Sequence, residues 1–442
     1  MKKYILILCF MFVALPVFAE SSDYDIYEEP AGSSSSPIKT TTTKTTTKTS
    51  KKTTKYRTKT TTTRSSESIF DGFPKLETKI LSEFYVNTLS GSGEKIQYND
   101  NKVTSYANIE SLMRLNITKN FYAESKWYLQ PVNKRVYGGN YYAKNSGNVI
   151  GNSLDSDFYG KNNYVKREFQ FSSYGLGVET LFLAYRDSNI NIGVGKINPT
   201  FGSAFDKSRF TGVYGVKLPE QYELTEKIGG YITALFPFGN LTFNTFFDDT
   251  TGLSSTMFKN RGKDKSKGGA GNTEKLNNFS ITFDAALENM NFNLGFRYLD
   301  VDLKQQEPEK GFVGGVEYLF EFPYGINFLP FAEVAYFNNF DGMKSRNVAY
   351  VTTFMPLIIE NWHFIFSNTS KFDDEKHYKN YSSYLTQLSF GYKFDCGLMI
   401  DVAKIWEREV NKANNFSNVP VGEKWIVRND SIAVMVSYLF KF

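Results

Sequence analysis

The stretch that decides the fold runs from Ile432 to Phe442 and reads IAVMVSYLFKF. Every second residue from Ile432 onward is apolar, and Tyr438, Phe440 and Phe442 on this face are aromatic. Alternation with a period of two is typical of a β-strand that has one apolar face. The stretch therefore predicts a strand whose apolar face is wide and ends in a bare phenylalanine.

The same alternation returns along the sequence from about residue 76, in runs separated by Gly, Asn, Asp, Ser and Lys. No run shows the 3.6-residue period of an amphipathic helix. The pattern predicts sixteen strands, at 81–89, 105–116, 120–131, 175–186, 190–197, 226–237, 240–249, 277–287, 290–302, 311–321, 326–338, 347–356, 361–370, 381–394, 397–408 and 429–442. Pro330 falls within one of these runs and predicts a bulge there.

The predicted connections alternate between short and long. The short set is 117–119, 187–189, 238–239, 288–289, 322–325, 357–360 and 395–396. The longer set is 90–104, 132–174, 198–225, 250–276, 303–310, 339–346, 371–380 and 409–428. Short periplasmic turns and long extracellular loops are typical of transmembrane β-barrels, whereas a soluble sandwich has no reason to sort its loops by length. We predict an all-β protein, with a transmembrane antiparallel barrel of about sixteen strands over residues 76–442.

The N-terminal end is of a different kind. Lys2 and Lys3 precede an apolar run and the small residues around Ala19, which predicts a signal peptide over residues 1–19. The only other cysteine after Cys9 is Cys396, and the chain has 2 histidines. We therefore expect no intramolecular disulfide, no metal site and no cofactor.

Residues 20–75 are rich in Ser, Thr and Lys, and almost no apolar side chain occurs between Lys39 and Arg64, so we predict a disordered, low-complexity arm. The net charge of +5 comes from this end, because residues 69–442 hold 40 basic and 40 acidic residues. The charge gives no reason to expect nucleic-acid binding. The arm is either a solvated tether or a basic segment that touches an anionic polymer such as peptidoglycan.

The C-terminal strand resembles that of Gram-negative outer-membrane barrels, and the resemblance implies that the barrel assembly machinery reads Tyr438, Phe440 and Phe442. Segments 193–202, 222–229 and 269–274 resemble a poorly characterised porin-like outer-membrane family, over about residues 170–320. The resemblance implies an integral outer-membrane protein in contact with lipid and lipopolysaccharide, with its arm in the periplasm. It leaves a monomer and a homotrimer both open.

Alternation also assigns side chains to the barrel interior. The predicted interior residues are Glu110, Arg114, Glu124, Lys126, Glu179, Asp284, Arg297, Glu317, Glu333 and Asp401. With Glu83, Asp248 and Lys393 the set holds nine acids and four bases, which predicts a weak preference for cations. A barrel of sixteen strands encloses an aqueous channel, so the sequence predicts a porin for passive diffusion of small hydrophilic solutes. The assignment gives no aromatic ladder, which would have favoured a substrate-specific transporter.

The third long loop, 198–225, is the predicted constriction, by analogy with general porins. Its candidate residues are Asp206, Lys207, Arg209, Lys217, Glu220 and Glu223. An alternative is a closed structural or adhesive barrel that binds a surface partner through its long loops, 132–174 above all.

We expect no enzymatic activity. His363 is predicted to face inward with Ser367, whereas an outer-membrane phospholipase needs its serine and histidine on the lipid-facing surface. His377 follows Asp373 and Asp374 in a charged loop, where a second pair of acids for a protease cannot be located.

Overall fold

Sixteen antiparallel strands form one closed sheet. The computed structural model describes residues 73–93, 102–131, 141–142, 149–150, 174–207, 212–257, 268–375, 378–412 and 424–442. The predicted signal peptide and nearly all of the predicted arm lie outside these residues. No helix within the described ranges is long and apolar enough to cross a membrane.

The first eight strands come from the N-terminal half of the barrel. They are β1 Lys75–Gly93, β2 Lys102–Asn116, β3 Phe121–Pro131, β4 Tyr174–Arg186, β5 Ile190–Ile197, β6 Lys227–Phe236, β7 Gly239–Asp248 and β8 Asn278–Leu287. Two short strands in the second long connection, Tyr141–Tyr142 and Val149–Ile150, pair only with each other.

The other eight strands complete the sheet. They are β9 Met290–Leu299, β10 Glu309–Tyr318 with a continuation Phe320–Phe322, β11 Ile326–Phe328 with Phe331–Asn338, β12 Arg346–Ile359, β13 Trp362–Glu375, β14 Tyr378–Lys393, β15 Leu398–Lys412 and β16 Lys424–Lys441. Each overlaps one predicted strand.

The sheet closes between β1 and β16. Lys79 is paired with Lys441 at one end of this seam and Gly93 with Val427 at the other. Beyond the seam, Thr78 and Phe442 exchange backbone hydrogen bonds of 3.2 and 2.9 Å. Since β1 also pairs with β2, every barrel strand has a neighbour on both sides, and no edge is left open.

Two predicted details are resolved by the strand pairing. Pro330 lies where β11 is interrupted, and its carbonyl accepts a hydrogen bond of 3.1 Å from the backbone of Tyr318, so the irregularity is an interruption of the strand. The predicted long loop 371–380 is wrong. β13 and β14 continue through most of it, and only residues 376–377 connect them.

Apolar side chains cover the outside of the barrel. On β16, Ile432 is 51% exposed, whereas Ala433 and Met435 on the other face are buried. Leu294 and Phe312, on β9 and β10, are likewise more than half exposed on the outer face. A surface of this kind suits hydrocarbon and not water.

The apolar core of the molecule lies inside the barrel, around the connection from β5 to β6. Phe201, Val213, Leu218, Tyr222 and Leu224 of this connection are buried against interior side chains of the wall. We call residues 198–226 the third loop.

Candidate functional site

Charged side chains on β2, β3 and β4 pair inside the barrel. Arg114 donates to Glu124 at 2.6 Å. Lys126 lies 3.1 Å from Glu110 and 3.0 Å from Glu179. Because two carboxylates share one ammonium group, the group around Lys126 carries a net negative charge.

The first part of the third loop is bound to β8 and its neighbours. The hydroxyl groups of Thr200 and Thr282 lie 2.7 Å apart, and Ser280 donates to the carbonyl of Thr200 at 3.1 Å. Asn198 donates to Glu179 at 2.5 Å. The loop therefore leaves β5 directly into the interior.

Glu333 on β11 receives five hydrogen bonds and is 1% exposed. The backbone N–H of Ser203 donates at 2.6 Å, its hydroxyl at 3.3 Å and the N–H of Ala204 at 3.2 Å. The Tyr222 hydroxyl donates at 2.6 Å and the Asn293 amide at 3.3 Å. Since Ser203 and Tyr222 belong to the two ends of the third loop, one carboxylate binds both.

Arg297 on β9 reinforces this attachment. Its guanidinium carbon lies 4.7 Å from the ring centre of Phe201 and 4.4 Å from that of Phe337. The group also contacts Glu309 at 2.5 Å and donates to the carbonyl of Tyr222. Buried contacts of an arginine with aromatic rings and a carboxylate are strong. Through Phe201 and Tyr222, Arg297 therefore holds both ends of the third loop.

The middle of the third loop reaches the opposite wall. The N–H of Tyr214 donates to Gln387 on β14 at 2.9 Å, and Lys217 contacts Glu407 on β15 at 2.5 Å. β6 and β14 are eight places apart in the cyclic order of sixteen strands, which is half a turn. Gly212 has a φ of +82°, and a Cβ there would lie 1.9 Å from the Gln387 amide, so the backbone approaches the wall closely.

The returning part of the loop carries Glu220 and Glu223. Burial raises the pKa of Glu223 well above its usual value, and the nearby charges of Asp206 and Glu179 raise it further. Lys126 acts in the opposite direction. Glu223 thus belongs to the same acidic surroundings as the group around Lys126.

The remaining predicted residues have the following positions. Lys207 contacts Glu317 at 2.8 Å, and the buried Asp401 contacts His363, which is half-buried on the interior face. Asp284 is half-buried on β8, opposite Asn293 of β9. Arg209 lies outside the described residues.

The sequence interpretation missed several interior cations. Lys196 contacts Asp249 at 2.9 Å, Lys227 contacts Asp248, and Arg346 contacts Asp373. Each lies at the loop end of its strand, where the assignment of faces was not extended. Asp249 and Asp373 were not counted from the sequence either, so these pairs leave the counted acidic excess nearly unchanged.

Aromatic side chains were missed as well. Phe182 on β4 lies 6.3 Å from Tyr122 and 6.0 Å from Tyr231, measured between ring centres, on the interior face. Tyr85 stacks on Tyr106 at 4.6 Å. The statement that the interior offers no aromatic series is therefore wrong, and strict alternation along β1 to β6 contained the signal.

The C-terminal aromatics lie on the outer face. The ring centres of Tyr438 and Phe440 are 4.3 Å apart, and those of Phe440 and Phe442 are 6.3 Å apart. Among the described residues, no group of three or more His, Cys, Asp or Glu side chains is arranged to hold a metal ion.

Solved structures of similar architecture are outer-membrane channels and porins. No family model matches the sequence, and no curated protein sequence matches it. The outer membrane channel DcaP of Acinetobacter baumannii has a TM-score of 0.50 with 12% identity, over 84% of this chain and 98% of that one. The anion-selective porin from Comamonas acidovorans has a TM-score of 0.50 with 7% identity, over 83% and 100% of the two chains. At such identities the likeness concerns the fold, and the chain therefore has the fold of the Gram-negative outer-membrane porins, which are integral outer-membrane β-barrels.

Proposed function

We propose that this barrel is an outer-membrane channel through which small hydrophilic solutes and ions diffuse passively. A barrel of sixteen strands is wide enough to hold water, and its wall carries charged side chains on the interior face beside the apolar cluster of the third loop. The main support for the proposal is the path of the third loop, whose contacts reach from β8 to β15 across the interior. In this proposal the loop narrows the channel and sets its size limit.

The channel is weakly cation-selective in our proposal. Glu110 and Glu179 share the single ammonium group of Lys126, and Glu223 of the third loop lies in the same surroundings. A ring of net negative charge in a narrow passage concentrates cations and repels anions.

Single-channel current from the refolded mature protein in a planar bilayer tests the proposal. We expect discrete current steps from the intact protein and larger steps when residues 198–225 are replaced by a short glycine linker. A folded barrel that passes no current would contradict the channel and favour a closed barrel that binds a partner through its loops. Steps of unchanged size after the replacement would contradict the constriction.

We further propose that the assembly machinery inserts the barrel by reading the outward aromatics of β16. Replacing Phe440 and Phe442 by serine should slow insertion, measured as the appearance of the heat-modifiable folded form.

We also propose that the basic arm binds peptidoglycan. Peptidoglycan pull-down should then be lost when residues 39–64 are deleted, while conductance stays the same.

A further inference from the structure

Four polar side chains lie together on the outer face of the barrel. They belong to β12, β13 and β14 and form what we call the outer polar row: Thr353, Asn368, Ser370 and Thr386. Thr353 is paired directly with Asn368 across β12 and β13, and Asn368 with Thr386 across β13 and β14. The row is thus continuous over three adjacent strands.

The outward direction of the row follows from its neighbours along β13. Ser367 and Thr369, on either side of Asn368, are 2% and 1% exposed and belong to the interior face. Phe366 and Phe372, two and four residues away, are 40% and 43% exposed on the outer face. Asn368 therefore points outward, between two aromatic rings.

The row lies within the apolar belt and not at its rim. On β12, Thr353 has the apolar side chains of Val351 and Met355 on either side along the outer face. On β14, Thr386 lies between Tyr384 and Leu388. All three strands thus carry apolar or aromatic side chains both above and below the row.

Hydrogen bonds within the row use only part of its capacity. The Asn368 amide donates to Thr386 at 2.8 Å, and Ser370 donates to the Asn368 oxygen at 3.3 Å. An asparagine side chain has two N–H donors and an oxygen with two acceptor positions. Donor and acceptor capacity of the amide is left for a group outside the barrel.

Most of the outer face meets lipid with apolar groups. Phe243 on β7, Ile281 on β8 and Leu294 on β9 are 41%, 39% and 57% exposed. Lipid chains offer no hydrogen-bond partner, so an amide in that position costs free energy that a protein partner removes.

We propose that the outer polar row is buried against the same row of a second copy of this chain. An amide and a hydroxyl are each donor and acceptor, so the row is complementary to itself. A two-fold axis normal to the membrane exchanges β12 and β14, which brings Asn368 against Asn368 of the partner subunit. Two convex barrels touch along a narrow strip. The outer polar row is three strands wide and fits within a strip of that width. The inference depends on the barrel lying in a membrane and does not depend on conduction.

Lipid accessibility of a nitroxide label tests whether the row is covered. The label is attached at Thr386→Cys in a Cys396→Ser background, and the matched position is Thr245→Cys on the outer face of β7. In phosphatidylcholine vesicles we expect oxygen, which concentrates in lipid, to reach position 245 several times more readily than position 386. Equal accessibility at the two positions would overturn the proposal.

The assembled mass and a cross-link identify the occupant. Native mass spectrometry should give a dimer for the parent protein and for Thr245→Val, and a monomer for Asn368→Leu combined with Thr386→Val. In the same Cys396→Ser background, Asn368→Cys should form a disulfide-linked dimer under mild oxidation, whereas Thr245→Cys should not. A folded, heat-modifiable parent protein that is monomeric, or a trimer without the cross-link, would overturn the proposal.

Discussion

Glu333 is a buried carboxylate whose partners among the described residues are neutral donors from the third loop and from β9. Leaving such donors without an acceptor costs about 1–3 kcal/mol each. We expect Glu333→Ala to loosen both ends of the third loop, and Glu333→Gln to do so less. The measurement is unitary conductance in a planar bilayer, which should rise and fluctuate more for Glu333→Ala.

Asp430 provides the control for the Glu333 variants, because it lies exposed on the outer face of β16. Asp430→Asn removes a carboxylate of the barrel without touching the loop and should leave the conductance unchanged. An unchanged conductance for Glu333→Ala would show that the loop is held without this residue.

Glu223 should give the proposed cation selectivity a pH dependence. Because its pKa is raised by burial and by the charge of Asp206, the side chain gains its negative charge only as the pH rises above the usual range for glutamate. Cation preference should therefore increase with pH, measured as the reversal potential in a KCl gradient at several pH values between about 5 and 9.

Glu223→Gln removes the titrating group without changing the size of the side chain. The variant should keep a low cation preference with a flatter pH dependence. A pH dependence as steep as that of the parent protein would assign the effect to another group.

Among the elements of the barrel, adjacent strands interlock where a glycine faces a tyrosine ring. A Cβ on Gly193 of β5 would lie 2.3 Å from the Tyr231 ring on β6. We expect Gly193→Ala to displace that ring and to lower the free energy of unfolding by about 1–3 kcal/mol. Urea unfolding in detergent measures the change.

Gly314→Ala is the matched change for Gly193→Ala. Gly314 is on the outer face of β10, where the nearest atom to an added Cβ is the flexible Leu294 side chain at 3.3 Å. Its stability should change far less. Equal losses in the two variants would show that the interior ring is not what the alanine disturbs.

The strands could be predicted because lipid imposes a period-two pattern on the outer face, as in Ile432 to Phe442. Strand ends were less predictable. Phe372 continues the alternation into the predicted loop 371–380, and the polar residues that follow it conceal that the two strands run on to 376–377.

The site was predictable only in part. Alternation along one strand identified Glu333 and Arg297 as interior residues from local sequence alone. Their partners could not be found in this way, since Ser203 is 130 residues from Glu333 and Tyr222 is 75 residues from Arg297. Contacts between a loop and a distant wall depend on how the closed barrel brings them together, which no local pattern records.

At the scale of the whole molecule, ion preference depends on the sum of interior charges. Glu110→Gln combined with Glu179→Gln leaves Lys126 without its two acids and makes the group net positive. We expect the reversal potential in a KCl gradient to shift toward anion preference. Asp430→Asn on the outer wall removes charge without facing the interior and should not shift it. Equal shifts for interior and exterior variants would contradict selection inside the barrel.

The seam between β1 and β16 has a consequence for the order of folding. It pairs Thr88 with Ile432, 344 residues apart in sequence, whereas the other barrel pairings join strands that follow one another. Closing so long a loop is entropically the most demanding step, and pairings of this kind form slowly. Until β16 arrives, the sheet has two open edges that can capture a foreign strand. The two edges of the unclosed sheet, β1 and β15, must therefore be shielded from other unfolded chains until β16 is docked, and misassembly should begin at one of these two strands.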